Sequence, residues 1–488
     1  MVIHIPDYSP VYLSLSKDPR LQIEFLTSLN MRIMIRYTMD MYFNDSVFKA
    51  YDIRGLSGTE LTPELANAVG KAVADYLPEA GPVLVGRDMR VDSEELHKAV
   101  IAGLTQQGRD VWDIGLVSTD MVYFAAGHYV ETAGGVMVTA SHNPGKYNGI
   151  KLCGHGSTPM GATNGLLDIK EIIKNDSFKK FERTGAVTLK SILDDWIEQI
   201  LAFSNVAHLR PYRIAADAGN GMEGTVLPAL SKRLPFEIVA DFYEIDGTFP
   251  NHIANPHLHE TLTTIIGQIK DKKLDFGMAF DGDGDRGALI DESGEVVSEA
   301  ILGAILADEL LKRNPGATVV YDVRTSHIVR DTIEAAGGIP LRTKVGGDVI
   351  KHAMRETNAV LGIELSGHYY FRDNYFSDSG ILAVMSVVGI LSASGKTLSE
   401  LVMPYLKYAT ADEENFVVTD VAKTIASLKT AFADGDQDEL DGLTVTYPDW
   451  WFNVRSSNTE PLLRLNVEAA TAEGLNAAQA RLNKVMQS

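Results

Sequence analysis

From about Phe48 onward, short apolar runs alternate with segments of helical period. Pro82–Arg87, Gly134–Ala140, Arg213–Asp217, Phe236–Ala240, Asp275–Phe280, Ala317–Asp322 and Val360–Leu365 read as strands. Ser93–Gln107 has helical spacing, with Ser93 as the expected cap. Strands alternating with helices imply βαβ units and parallel or mixed sheets. The longest apolar stretch, Gly380–Ala393, is too short to span a bilayer and reads as a buried helix. The C-terminal stretch follows a different rhythm. Asn415–Val418, a helical Val421–Ala433, an apolar Leu443–Val454 and a helical Ala472–Met486 describe a smaller α+β unit, with Pro404 and the acidic Asp412–Glu414 as linker. The first forty-odd residues lack such periods and carry Met31, Met34, Met39 and Met41. They read as a loosely packed extension or as the product of an upstream start codon; a docked helix over Asp18–Thr27 is the alternative.

Three of the strands run into unusual loops: VMVTA into SHNP, GMAF into DGDGDR and LGIE into LSGH. A βαβ design used three times would put each loop at the carboxyl end of a strand, where α/β sheets bind ligands. At 488 residues the chain has room for three or four domains. A net charge of −21 argues against nucleic acid or an anionic membrane as partner but leaves small anions open. The single cysteine, Cys153, excludes an intramolecular disulfide, suits a reducing compartment and reads as a core residue. The start, MVIHIPDYSPVY, lacks the basic and apolar regions of a signal peptide, so a cytoplasmic location is expected.

Ser141 and His142 follow a buried strand, with Lys151 ten residues on. A serine hydroxyl is a weak nucleophile unless a neighbour takes its proton or stabilises its charge, and His142 and Lys151 are suited to help. A polar turn at Asn143-Pro144 is the competing reading. Asp281, Asp283 and Asp285 alternate with glycines that let three carboxylates converge; such a set repels itself unless a hard cation neutralises it. An EF-hand would use the same three positions and Glu292, but Arg286 stands where that loop needs glycine and both flanks read as strands. A solvated acidic turn is the third reading. Glu364 and Ser366 lie two apart, on one side of an extended chain, where they would receive sugar hydroxyls or merely face solvent. Arg455-Ser456-Ser457-Asn458-Thr459 offers a guanidinium, side-chain donors and free N–H groups to a phosphate, or forms an ordinary turn.

Taken together, and with Tyr51-Asp52-Ile53-Arg54-Gly55, Gly86-Arg87-Asp88-Met89-Arg90 and Asp217-Ala218-Gly219-Asn220-Gly221, these segments resemble the α-D-phosphohexomutases from Phe48 to the end. The GIELSGH loop and Ser118-Thr119-Asp120-Met121 are similar to the phosphomannomutase/phosphoglucomutase group. The resemblance implies three α/β domains with mixed sheets and a smaller C-terminal α+β domain around a central cleft. An extension over 1–44 would precede domains at 45–187, 188–296, 297–408 and 409–488. It implies that Ser141 carries a phosphoryl group, and that Asp281, Asp283, Asp285 and the seryl oxygen bind one Mg²⁺. Arg54, His142, Lys151 and Arg286 would surround the transferring phosphate. Glu364, Ser366 and His368 would meet the sugar, and Arg455, Ser457, Asn458 and Thr459 the other phosphate. The implied activity interconverts hexose 1- and 6-phosphates of mannose, glucose or both, with a hexose 1,6-bisphosphate as activator and a phosphosugar as partner. A phosphoglucosamine mutase, a phosphatase and a non-catalytic Ca²⁺- or sugar-phosphate-binding protein are the alternatives. One position departs from the pattern. Family members commonly carry histidine after the first glycine of Lys344-Val345-Gly346-Gly347-Asp348, and here Gly347 stands instead. That leaves His368 as the stronger candidate for proton transfer.

Overall fold

The apolar runs assemble into four sheets in a computed structural model that describes residues 43–486, except 79, 205–207 and 457–461, together with two short strands, Val2–Ile3 and Val11–Tyr12. The alternative reading of a docked helix over Asp18–Thr27 falls outside the described residues. The first large sheet has the order Ile53–Leu56, Tyr147–Gly154, Gly134–Val138, Val83–Arg87, Val111–Leu116, Val187–Leu189. The second runs Glu237–Asp241, Arg213–Asp217, Phe276–Phe280, Gly287–Ile290, and the third Ile339–Thr343, Thr318–Asp322, Leu361–Ile363, Tyr369–Phe371, Ser377–Asp378. The fourth is antiparallel, centred on Trp450–Ser456 and Leu462–Ala469. Three mixed-sheet α/β domains and a C-terminal α+β domain result.

One four-strand unit recurs in the first three sheets. Two adjacent strands are parallel, a third is parallel to them, and a fourth returns antiparallel to the third. The third and fourth strands are Gly134–Val138 with Tyr147–Gly154, Phe276–Phe280 with Gly287–Ile290, and Leu361–Ile363 with Tyr369–Phe371. Thr139–Lys146, Asp281–Arg286 and Glu364–His368 are therefore the same hairpin loop, built three times. The sequence pattern foreshadows the third strand each time. The returning strand is harder to see because its polar residues serve the site.

Two local expectations change. Ser93 does not cap its helix: Asp92 holds the cap position, and the Ser93 hydroxyl donates to buried Asp88 at 2.5 Å. The Glu364–Ser366 segment is a turn rather than extended chain. Glu364 N–H donates to the His368 carbonyl at 3.0 Å, and the chain reverses through Gly367 at φ 84°, where a Cβ would fall 2.3 Å from the His257 ring. The Gly380–Ser394 helix is buried as expected, with Ser379 capping it through Leu382 N–H at 3.2 Å. Among the described residues no single helix is long and apolar enough to cross a membrane. Cys153 is buried, and burial pushes its thiol up to about 12.

The first three domains share a continuous apolar core; Phe124, Trp196, Phe276 and Val384 all belong to it. The fourth has its own, around Phe432, Phe452 and Leu482. It meets the third mainly through polar contacts: Glu468 accepts from His327 N–H at 2.9 Å and Asp441 from Val345 N–H at 2.9 Å, while the His327 ring stacks on Trp451. Domains with separate cores and a polar seam can move relative to one another.

The first and third domains touch at Gly161, where a Cβ would fall 1.4 Å from a carboxylate oxygen of Asp348. Gly161→Ala should wedge this contact and cost about 1–3 kcal/mol, as overpacking does. Urea unfolding measures the loss; an unchanged midpoint would mean that Asp348 swings clear.

Candidate active site

Ser141 ends the strand-to-loop transition of the first domain in left-handed backbone, φ 52°. Its N–H donates to Thr139 Oγ1 at 2.9 Å, and a buried arginine grips the loop from below. Arg90, fixed by Asp88 at 3.2 Å, donates to the carbonyls of Ser141 (2.6 Å), Asn143 (2.6 Å), Pro144 (3.1 Å) and Tyr147 (2.9 Å). The strain of a non-glycine residue at positive φ persists only where its surroundings impose it, and these four bonds do so. The Ser141 hydroxyl is thus presented to the acidic loop of the second domain, 3.0 Å from Asp281 Oδ2 and 3.2 Å from His142 Nδ1.

Arg286 and burial push the His142 imidazole well below its ordinary pKa, which favours its neutral form. On the edge strand Ile53–Leu56, Arg54 donates to Asn143 Oδ1 at 2.7 Å and to Asp52 at 2.5 Å. Lys151 stands on the returning strand and reaches the acidic loop of the second domain, 2.7 Å from Asp283 and 2.6 Å from Asp285. Burial disfavours its charge, but these two carboxylates outweigh burial and raise its pKa well above the ordinary value.

Asp281, Asp283 and Asp285 are 0–1% exposed. Burial and the neighbouring Asp285 push Asp281 up to about 7. Burial also works against Asp285, but Lys151, then His368, hold it well below the carboxylate range. Gly282 permits the approach to the first domain, since a Cβ there would lie 2.7 Å from the Ser141 carbonyl. One carboxylate oxygen from each of the three aspartates lies within 4.8 Å of the others. Asp283 Oδ1 and Asp285 Oδ1 are buried without a hydrogen-bond partner. Convergent hard oxygens with unused lone pairs fit a divalent cation. The EF-hand reading fails: the flanks are paired strands, and Glu292 points away to accept from the Ser399 hydroxyl at 2.5 Å. A second acidic set, Asp285, His368 and Asp378, is also close enough, but Lys351 already neutralises Asp378 at 2.7 Å.

Arg286 links this loop to the third. Its Nε donates to Asp281 at 3.0 Å and its Nη1 to the Ser366 carbonyl at 3.5 Å. Ser366 Oγ lies 2.9 Å from His368 Nδ1, and His368 Nε2 lies 3.5 Å from Asp285. Burial opposes charge on His368, but Asp285, then Glu364, raise its pKa. Glu364 accepts from Tyr370 at 2.9 Å and from Arg324 at 3.4 Å. Arg324 also faces Glu413 at 3.9 Å, which Arg455 and Arg464 each approach to 3.4 Å. Three guanidinium groups thus surround one carboxylate, and the buried Nε atoms of Arg455 and Arg464 have no acceptor among the described residues. Ser457, Asn458 and Thr459 lie outside the described residues. Beside this cluster opens a cavity of about 1170 Å³, lined by His257, Glu299, Arg324, Ser366, Glu413 and Arg464.

Sequence reasoning singled out neither Arg90 as the clasp of the Ser141 loop nor Arg324 as a member of the arginine cluster. A signal existed. Asp88-Met89-Arg90 and Asp322-Val323-Arg324 both follow a parallel strand, and in both the aspartate accepts the N–H two residues on, at 3.0 and 2.7 Å.

Models of four protein domains match the chain. Phosphoglucomutase/phosphomannomutase α/β/α domains I, II and III match residues 45–180, 194–294 and 299–408, and the C-terminal domain matches 413–485. The chain is 41% identical to a phosphohexose mutase of Xanthomonas campestris, over 86% of this chain and 94% of that one. It is 37% identical to a phosphomannomutase of Salmonella montevideo, over 91% and 99%. With a phosphomannomutase/phosphoglucomutase of Pseudomonas aeruginosa it shares 36%, over 88% and 93%. A solved phosphoglucomutase/phosphomannomutase family protein from Burkholderia thailandensis superposes with a TM-score of 0.84 at 32% identity, over 91% of this chain and 98% of that one. An N-acetylphosphoglucosamine mutase of Aspergillus fumigatus, solved with GlcNAc-6P and magnesium, shares the fold at a TM-score of 0.55 and 15% identity, over 88% and 99%. With four domains matched in order along a thrice-built hairpin whose loops meet at a serine and three aspartates, the chain belongs to the phosphoglucomutase/phosphomannomutase family.

Proposed function

We propose that this chain interconverts hexose 1-phosphate and hexose 6-phosphate, of mannose, glucose or both, through a phosphoserine at Ser141 and a bisphosphorylated sugar. The observation that carries the reading is an unbroken path of contacts from Ser141 through Asp281, Arg286, Ser366 and His368 to Glu364, Arg324, Glu413 and Arg455. It joins a nucleophile with its charge-neutralising groups at one end to an arginine cluster at the other, with a carboxylate for hydroxyls between. A phosphatase would not need the far clamp, and a sugar-phosphate-binding protein would not need Ser141 set against the three aspartates.

In the first half-reaction the bond from phosphorus to Ser141 Oγ breaks and one to the sugar O1 or O6 forms. The sugar hydroxyl loses a proton and Ser141 Oγ regains one. His142, at 3.2 Å, is suited to move the seryl proton, and His368 serves the sugar side. Lys151, Arg54 and Arg286 hold the equatorial oxygens of the moving phosphoryl group, since phosphoryl transfer depends mainly on positioning and charge stabilisation. Asp281, Asp283, Asp285 and the seryl oxygen would hold one Mg²⁺, which supplies further charge neutralisation when bound. The bisphosphate then turns round and returns its other phosphate to Ser141. Arg455, with Ser457, Asn458 and Thr459, grips whichever phosphate is not reacting. The polar seam of the fourth domain lets the cleft loosen for that turn. A hexose 1,6-bisphosphate added in trace amounts rephosphorylates enzyme that has lost its intermediate. A coupled assay with mannose 1-phosphate, glucose 1-phosphate and glucosamine 1-phosphate in parallel tests the reading. Turnover of either of the first two supports it, and inorganic phosphate as the sole product would refute it.

Ser141 should be partly phosphorylated as purified, visible by intact mass and peptide mapping, and Ser141→Ala should abolish turnover. Full activity of that variant would remove Ser141 from the chemistry.

Exhaustive chelation should abolish activity, and Mg²⁺ should restore it. A chelated enzyme that turns over at its normal rate would exclude the metal reading.

Arg455→Ala should lose roughly ten- to a hundredfold in kcat/KM, the worth of a charged hydrogen bond. The loss should be equal for glucose and mannose phosphates, because the clamp touches no ring hydroxyl. Steady-state kinetics on both sugars checks this, and a loss confined to one epimer would contradict it.

A further inference from the structure

The glycine at position 347 and the tyrosine at 370 fit one another. Tyr370 lies on the returning strand of the third sheet, opposite Gly362, with its side chain 2% exposed among Val320, Ile350 and Met354. Its hydroxyl donates to Glu364 Oε2 at 2.9 Å. A Cβ built on Gly347 would fall 2.8 Å from that hydroxyl oxygen but 3.6 Å from the ring carbon that bears it. The first distance is one that real side chains do not adopt, and the second is ordinary contact. Gly347 has no positive φ, so its backbone accepts alanine; the obstacle is the oxygen alone. The ring cannot withdraw to relieve it, because a close-packed core transmits such a shift to its neighbours.

We propose that Tyr370 is a positioning residue for Glu364, and that the absent side chain at position 347 is what admits its hydroxyl. The inference rests on the reading of Glu364 as the group that receives sugar hydroxyls. A buried carboxylate needs donors to hold it. Tyr370 fixes one oxygen of Glu364, and Arg324 at 3.4 Å meets the other. His368 Nδ1 lies 3.6 Å from the oxygen that Tyr370 holds, so the phenol also sets the distance between the carboxylate and the imidazole. The lone pairs left over are then aimed at ring hydroxyls. A side chain at 347 would push the phenol off Glu364 and release the carboxylate, although neither residue touches the phosphate.

The test is a double-mutant cycle on the full chain, using Tyr370→Phe, Gly347→Ala and both together, with Glu364→Gln as reference. The substrates are mannose 1-phosphate and glucose 1-phosphate and their 3-deoxy and 4-deoxy analogues. Each single variant should raise KM and lower kcat/KM roughly tenfold, with kcat little changed. The double variant should be no worse than the worse single, because without the oxygen the methyl meets only the ring carbon. The penalty of Tyr370→Phe should shrink on the deoxy sugar that takes a hydroxyl from Glu364, a dependence that a merely structural role would not give. Multiplied losses in the double variant, near a hundredfold, would overturn the proposal. So would an unchanged KM in Tyr370→Phe where Glu364→Gln is impaired. Full activity of Glu364→Gln would instead overturn the sugar-loop reading, and this inference with it.

Discussion

Three carboxylates buried within a single glycine-broken turn repel one another, and the rest of the site is arranged around that repulsion. Asp281, Asp283 and Asp285 have almost no exposed surface, so water does not screen them. Lys151 answers from the first domain and Arg286 from the same loop. Ser141 and Thr119 add hydroxyl donors, at 3.0 Å to Asp281 and 2.5 Å to Asp283. Breaking a buried ion pair by removing one partner is far costlier than never having built it. The first and second domains are therefore bound to each other through the chemistry of the site, and the distance from serine to carboxylate is fixed by the same contacts. A divalent cation fits because Asp283 Oδ1 and Asp285 Oδ1 are buried and accept no hydrogen bond from the protein's own groups.

The repeated hairpin turns this local constraint into a global one. Each of three sheets sends its third strand toward the centre and its fourth strand back, so the loop between them must lie at the meeting point. The first loop holds the serine, the second the carboxylates, and the third Glu364 and His368. The fourth domain brings Arg455 through a polar seam rather than a shared core. On the proposed reading, rigidity at the serine end and freedom at the Arg455 end suit a substrate held in turn by either phosphate.

Much of this was legible in the sequence, for physical reasons that differ by element. The third strand of each hairpin is buried on both faces, so Gly134–Val138 and Phe276–Phe280 stand out as apolar runs. The returning strand Tyr147–Gly154 does not, because Asn148 and Lys151 interrupt its pattern in the service of the site. Glu364 and Ser366 were expected to share a side through extended backbone. They belong to one loop for another reason, a reversal at Gly367 that spacing alone cannot foretell. Ser93 looked like a helix cap, but a buried Asp88 competes for its hydroxyl more strongly than an N–H on the helix does. Arg90 stood inside a recognised motif and Arg324 in a similar Asp-x-Arg step, but the roles of both depend on carbonyls and carboxylates far away in sequence. Gly347 was visible only as a missing histidine. What fills the space, the hydroxyl of Tyr370, appears only when the two strands of the third hairpin and the neighbouring helix are packed together.

The central claim is that one phosphoryl group leaves Ser141 for the sugar and another returns. The most direct measurement is rapid-quench transfer from enzyme carrying ³²P on Ser141, mixed with excess unlabelled mannose or glucose 6-phosphate. Label should pass first into a hexose bisphosphate and then into hexose monophosphate, at the rate of turnover. Label that stays on the enzyme while product accumulates, or that leaves as inorganic phosphate, would contradict the account.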